Sequence, residues 1–85
     1  MYIIPLRSHQ THILLVEDNP ADARLIEIYL QESGFGDWVV ARAESLQEAL
    51  HKLSLQKYAI VLLDLSLPDG MGIANIRQIK HLFPE

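Results

Sequence analysis

The sequence predicts a single α/β domain with a parallel sheet and helices on both faces, and three observations lead to it. Two runs, Ile13-Leu14-Leu15-Val16 and Ala59-Ile60-Val61-Leu62-Leu63, are apolar without alternation, the pattern of strands covered on both sides. The stretches between and after them repeat apolar residues at helical spacing. Strands and helices alternate strictly as βαβαβα, which implies right-handed crossovers and a parallel sheet. Eighty-five residues make one small domain of marginal stability.

Residues 1–10 hold Pro5, Ser8, His9 and Gln10 and show no clean period, so they read as an N-terminal arm ahead of a domain at 11–85. The first strand is Thr11-His12-Ile13-Leu14-Leu15-Val16. Asn19-Pro20 then supplies a helix cap and a Pro at the first helical position, with Asp22 in the first turn where the helix dipole favours negative charge. The helix runs over residues 20–33, with Leu25, Ile26, Ile28, Tyr29 and Leu30 as a wide apolar arc and Gly34 as its stop. Trp38-Val39-Val40-Ala41-Arg42-Ala43 is a shorter, mixed strand that suits an edge. Ser45-Leu46-Gln47-Glu48 is a capping box, and Leu46, Ala49, Leu50 and Leu53 fall at i, i+3, i+4 and i+7, so a second helix runs to about Leu55. The third strand, residues 59–63, ends in Asp64 and the turn-rich Leu67-Pro68-Asp69-Gly70-Met71-Gly72. Ile73, Ile76, Ile79 and Leu82 mark a third helix.

Composition narrows the function classes. Apolar residues are 49% and charged residues 21% of the chain, the balance of an ordinary globular protein. The absence of cysteine removes disulfides and thiolate metal sites. The apolar runs fall far short of the roughly 20 residues of a membrane span, and the N-terminus is a poor secretory signal, so the expected compartment is the cytoplasm. A net charge of −4 with scattered Lys and Arg speaks against direct nucleic-acid binding.

The chemistry lies where two strands end in acid. The first strand stops at Glu17-Asp18 and the third at Asp64. In open parallel sheets, ligands bind at the carboxyl ends of strands, where the strand order reverses. Parallel neighbours stand about 4.8 Å apart, which brings the carboxylates of Asp18 and Asp64 within reach of one ion. Their repulsion is relieved by a raised pKa or by a divalent cation. Oxygen-only donors suit Mg²⁺ or Mn²⁺ better than Zn²⁺. His12, at the far end of the first strand, is roughly 16 Å from Glu17 along an extended chain and no rival ligand.

Ile13-Leu14-Leu15-Val16-Glu17-Asp18-Asn19-Pro20, followed 46 positions after Asp18 by Val61-Leu62-Leu63-Asp64-Leu65-Ser66-Leu67-Pro68-Asp69-Gly70, resembles the receiver domains of two-component response regulators. The resemblance covers residues 11–85 and implies a flavodoxin-like fold, incomplete here, with strand order 2-1-3. It implies that Asp64 is the phosphoacceptor and takes its phosphoryl group from a sensor histidine kinase or phosphotransfer protein. It implies Mg²⁺ or Mn²⁺ held by the side chains of Asp18 and Asp64, the backbone carbonyl of Ser66 and, through water, Glu17. The domain would then be a phosphoprotein of a phosphorelay rather than an enzyme. The family also carries a switch Ser or Thr after a fourth strand and a Lys after a fifth, and the sequence holds neither strand. Slow or absent phosphorylation by small donors follows as an expectation, as does a bare third-strand edge that pairs with a second copy.

Other readings of the same residues are structural. Asp69 reads as a turn residue, Ser45 as a cap, Trp38 and Tyr29 as core or edge packing, and His9 and His81 as solvated. A phosphatase of the haloacid dehalogenase type wants a second Asp two residues after the nucleophile, and Ser66 stands there. The remaining alternative is a non-catalytic receiver-like fragment kept for interaction or dimerisation, its acids idle.

Overall fold

The computed structural model describes residues 1–6, 11–35, 37–64, 66–71 and 73–82. Four strands form one sheet: β1 (Tyr2–Pro5), β2 (His12–Val16), β3 (Val39–Ala43) and β4 (Ile60–Leu63). Three helices follow the parallel strands: α1 (Pro20–Leu30), α2 (Leu46–Leu55) and α3 (Ile73–Leu82). The βαβαβα pattern is thus present, each predicted strand within a residue of its expected bounds. None of the described helices is long and apolar enough to cross a membrane.

The strand order corrects the expectation in one respect. Strands β3, β2 and β4 are parallel neighbours, which is the expected 2-1-3 arrangement, but β1 extends the sheet on the far side of β4 to give β1-β4-β2-β3. It pairs antiparallel with β4, with Tyr2 opposite Leu63 and Pro5 opposite Ile60, and the Leu6 N–H donates to the Ala59 carbonyl at 2.8 Å. The edge of the third predicted strand, expected to be bare and to recruit a second copy, is therefore occupied by the chain itself. Tyr2-Ile3-Ile4 has strong strand propensity, while Pro5, which breaks the sequence period, is tolerated because β1 is an edge strand.

Alternation along the strands divides the core between two faces. Leu14, Val16, Val61 and Leu63 join Ile4 against Leu46, Ala49 and Leu53 of α2 and Ile76 and Ile79 of α3. Ile13, Leu15 and Leu62 face Ala23, Ile26 and Leu30 of α1, with Trp38 and Val40 packed alongside. On this face, α1 touches the sheet by a stripe narrower than its apolar arc. Leu25 and Tyr29 are 65% and 70% exposed and, with Met1, Ile3 and Leu62, line an apolar groove beside the helix. Tyr29 is not a core residue, because among the described residues α1 is the one helix on this face and Tyr29 lies on its outer flank.

The helix ends obey the capping signals. The Asn19 side chain accepts from the backbone N–H groups of Ala21 and Asp22, and Ser45 Oγ accepts from that of Glu48 at 3.1 Å. The Glu48 carboxylate turns back to the N–H of Glu44 rather than of Ser45. After Leu30, the segment Gln31–Phe35 leaves the regular helix through a kink at Ser33 and Gly34, where Gly34 adopts φ 93°. That left-handed conformation is one that glycine takes at no steric cost. His81 is exposed, as expected, and His9 lies outside the described residues.

Candidate functional site

The register of the two central parallel strands creates the site. Val16 stands opposite Leu63, so the residues that follow them, Glu17 and Asp64, emerge side by side at the carboxyl edge. The Asp64 N–H donates to the Val16 carbonyl at 3.0 Å, and the Glu17 N–H donates to the Ala43 carbonyl of β3 at 2.9 Å. One carboxylate oxygen from each of Glu17, Asp18 and Asp64 lies within 4.8 Å of the others. Asp18 is exposed, Asp64 half-buried and Glu17 buried.

Burial is the main force on Glu17 and pushes its carboxyl above the ordinary Glu value of 4.5. The Asn19 N–H, which donates to Glu17 Oε1 at 3.1 Å, opposes that push, while the charge of Asp64 and side-chain contacts with Asp18 and Asp64 add to it. The acids thus crowd one another in a partly dry corner, a demand for positive charge that a cation can meet. The donors are all carboxylate oxygens, the set that hard divalent ions such as Mg²⁺ take. His12 sits at the opposite end of β2, where its ring meets that of Tyr58 edge-on at 6.3 Å.

Of the four residues expected at the site, the structure brings three together. Ser66, two residues after Asp64, belongs to a short hairpin of β5 (Ser66–Leu67) and β6 (Gly70–Met71), where it pairs with Met71. Leu65, between them, lies outside the described residues. Two residues to which sequence reading assigns no role at the site support it. Asp69, at the hairpin turn, is more than a turn residue: its carboxylate accepts from the N–H groups of Leu46 at 2.8 Å and Gln47 at 2.9 Å, capping α2 from a distance. These bonds hold its carboxyl below the usual Asp value of 3.8. Arg42, in β3, reaches over the sheet edge to the carbonyls of Glu17 and Asp18. Its one sequence signal is a charged residue between Ala41 and Ala43 in a strand that is otherwise apolar.

Residues 13–85 match the family model of the response regulator receiver domain. The chain is 39% identical to the KDP operon transcriptional regulatory protein KdpE of Escherichia coli over 84% of its own length and 30% of that protein's. It is 34% identical to the transcriptional regulatory protein ResD of Bacillus subtilis, over 88% of this chain and 30% of that one. The chain therefore spans about a third or less of the curated relatives it matches. A crystal structure of a sensor protein from Polaromonas sp. JS666 superposes with a TM-score of 0.71 at 31% identity, covering 87% of this chain and 56% of that one.

Proposed function

The chain belongs to the response regulator receiver domain family, and from that premise we propose that its carboxylate site accepts a phosphoryl group on Asp64. The observation that carries this reading is the convergence of Glu17, Asp18 and Asp64 from two adjacent strand ends within 4.8 Å. In this proposal, Asp18 and Asp64 hold Mg²⁺ or Mn²⁺ through their side chains, Glu17 through water, and Ser66 through its backbone carbonyl. The bound ion offsets the negative charge that an incoming phosphoryl group brings to three acids.

Asp64 supplies the nucleophile. A carboxylate oxygen attacks phosphorus as the phosphorus–nitrogen bond of a phosphohistidine breaks, and the acyl phosphate that forms on Asp64 retains the transferred group. The phosphohistidine belongs to a sensor kinase or phosphotransfer protein, and the domain is its acceptor in the cytoplasm rather than an enzyme with a turned-over substrate. The half-buried setting of Asp64 leaves an approach for a donor beside the buried Glu17.

The test pairs Mg²⁺ binding with phosphoryl capture. Titration with Mg²⁺ should give saturable amide shifts at Asp18 and Asn19 that vanish in Asp64→Asn. Incubation with a histidine-phosphorylated kinase and Mg²⁺ should add one phosphoryl mass at Asp64 and none in Asp64→Asn. Saturable Mg²⁺ binding without any transfer leaves a metal site but removes the acceptor role. No binding at all favours an idle interaction fragment.

A further inference from the structure

The acids of the site repel one another, yet they stand together, so something must hold their main chain. Two groups of β3 do. The Glu17 N–H donates to the Ala43 carbonyl at 2.9 Å. From the next residue along β3, Arg42 Nε and Nη2 donate to the Glu17 carbonyl at 3.2 and 3.1 Å, and Nη2 also reaches the Asp18 carbonyl at 3.4 Å. The peptide groups of Glu17 are thereby fixed on both sides from one neighbouring strand.

Because a peptide unit is planar, fixing the Glu17 carbonyl also fixes the N–H of Asp18 and narrows the direction its side chain can take. Among the described residues, the Arg42 fork binds main-chain oxygens of Glu17 and Asp18, and its ion pair goes to Glu44 at 3.3 Å. Its side chain is 25% exposed, and its two bonds to the Glu17 carbonyl are partly shielded from water while the longer one to Asp18 is exposed. A lysine has the charge but not the planar fork that reaches two carbonyls at once.

We infer that Arg42 is a positioning residue for the acid site: its guanidinium fork holds the Glu17 and Asp18 main chain so that their carboxylates converge with Asp64 to receive a divalent cation. This rests on the reading of the acids as a metal site. It makes a prediction opposite in sign to the simplest alternative, in which a nearby positive charge merely repels the ion. As a positioning group, Arg42 strengthens Mg²⁺ binding. As a bare charge, it weakens it.

The experiment is an Mg²⁺ titration of wild type, Arg42→Gln and Arg42→Lys, followed by amide shifts and by calorimetry, with thermal melting in chelator as a control. Loss of a group that orients metal ligands weakens affinity on the order of tenfold. Arg42→Gln should lose about that factor, and Arg42→Lys nearly as much, with the metal-free amide shifts of Glu17, Asp18 and Asn19 displaced in both. Tighter binding in Arg42→Gln with unchanged binding in Arg42→Lys overturns the inference, as does wild-type affinity in both variants. Should Arg42→Gln fail to fold, Arg42→Lys decides alone: weaker binding supports the fork, and equal binding refutes it. No saturable response in wild type overturns the metal reading itself, and this inference with it.

Discussion

Replacing Ile4 with alanine tests whether β1 belongs to the folded domain, and the structure sets the size of the effect. Ile4 is fully buried against Val61 and Leu63, whereas Ile3, its neighbour on the opposite face, is 61% exposed. Ile4→Ala removes three carbons, about 2.5 kcal/mol at roughly 0.8 kcal/mol each. The cavity left behind raises the loss to about 3–4 kcal/mol, inside the usual range for such truncations. A domain of this length has a total stability of about 4–13 kcal/mol, so the loss is a large share of it. With a urea slope of about 1 kcal/mol/M for so small a protein, the midpoint should fall by roughly 3 M, and the weakest folds would not survive. Ile3→Ala should cost less than about 1 kcal/mol. Urea unfolding of both variants, followed by circular dichroism, reads the difference. Equal, small shifts would refute the reasoning, because they would mean that residues 2–5 leave the sheet in solution and that the strand carrying Asp64 has an open flank.

Two further outcomes concern titrating groups. Burial raises the folded pKa of Glu17 above 4.5, so the folded state keeps its proton longer than the unfolded chain, and stability falls as pH climbs from the ordinary Glu range through the raised value. In chelator, Glu17→Gln should flatten that decline and melt higher than wild type at neutral pH; parallel melting profiles from about pH 4 to 8 would remove this account. Asp69 shifts the other way: the N–H groups of Gln47 and Leu46 lower its folded pKa below 3.8, so its stabilisation is present at neutral pH and is lost as pH falls through the lowered value. Asp69→Asn should melt lower than wild type at neutral pH and converge with it in acid, and a constant offset at every pH would contradict the carboxylate cap.

The three parallel strands and three helices were legible because each carries a strong local signal. Buried central strands read as unbroken apolar runs, and Asn19-Pro20 and Ser45 mark helix starts by residue type alone. The β1 strand was not legible. It has four residues and ends in proline, and its existence depends on a free flank of β4 that no local pattern reveals. The exposure of Leu25 and Tyr29 was hidden for a related reason: periodicity gives the width of an apolar arc but not how many helices share the sheet face beneath it.

At the site, the acids themselves were readable, since each closes an apolar strand and parallel register carries neighbouring strand ends to one place. The groups that hold them were not. Arg42 bonds main-chain carbonyls 24 and 25 residues away, and Asp69 bonds main-chain amides 22 and 23 residues away, so neither leaves a spacing motif. Both tethers end in one segment, residues 42–47, which joins β3 to α2 and contributes no acid to the cluster. Through Arg42 it grips the loop after β2, and through the first amides of α2 it grips the hairpin after β4. Beyond the bond from the Asp64 N–H to the Val16 carbonyl, the two acid-bearing loops are thus also fixed to a common third element. That arrangement sets the three carboxylates against one another at the sheet edge, where the Glu17 carboxyl makes side-chain contacts with Asp18 and Asp64.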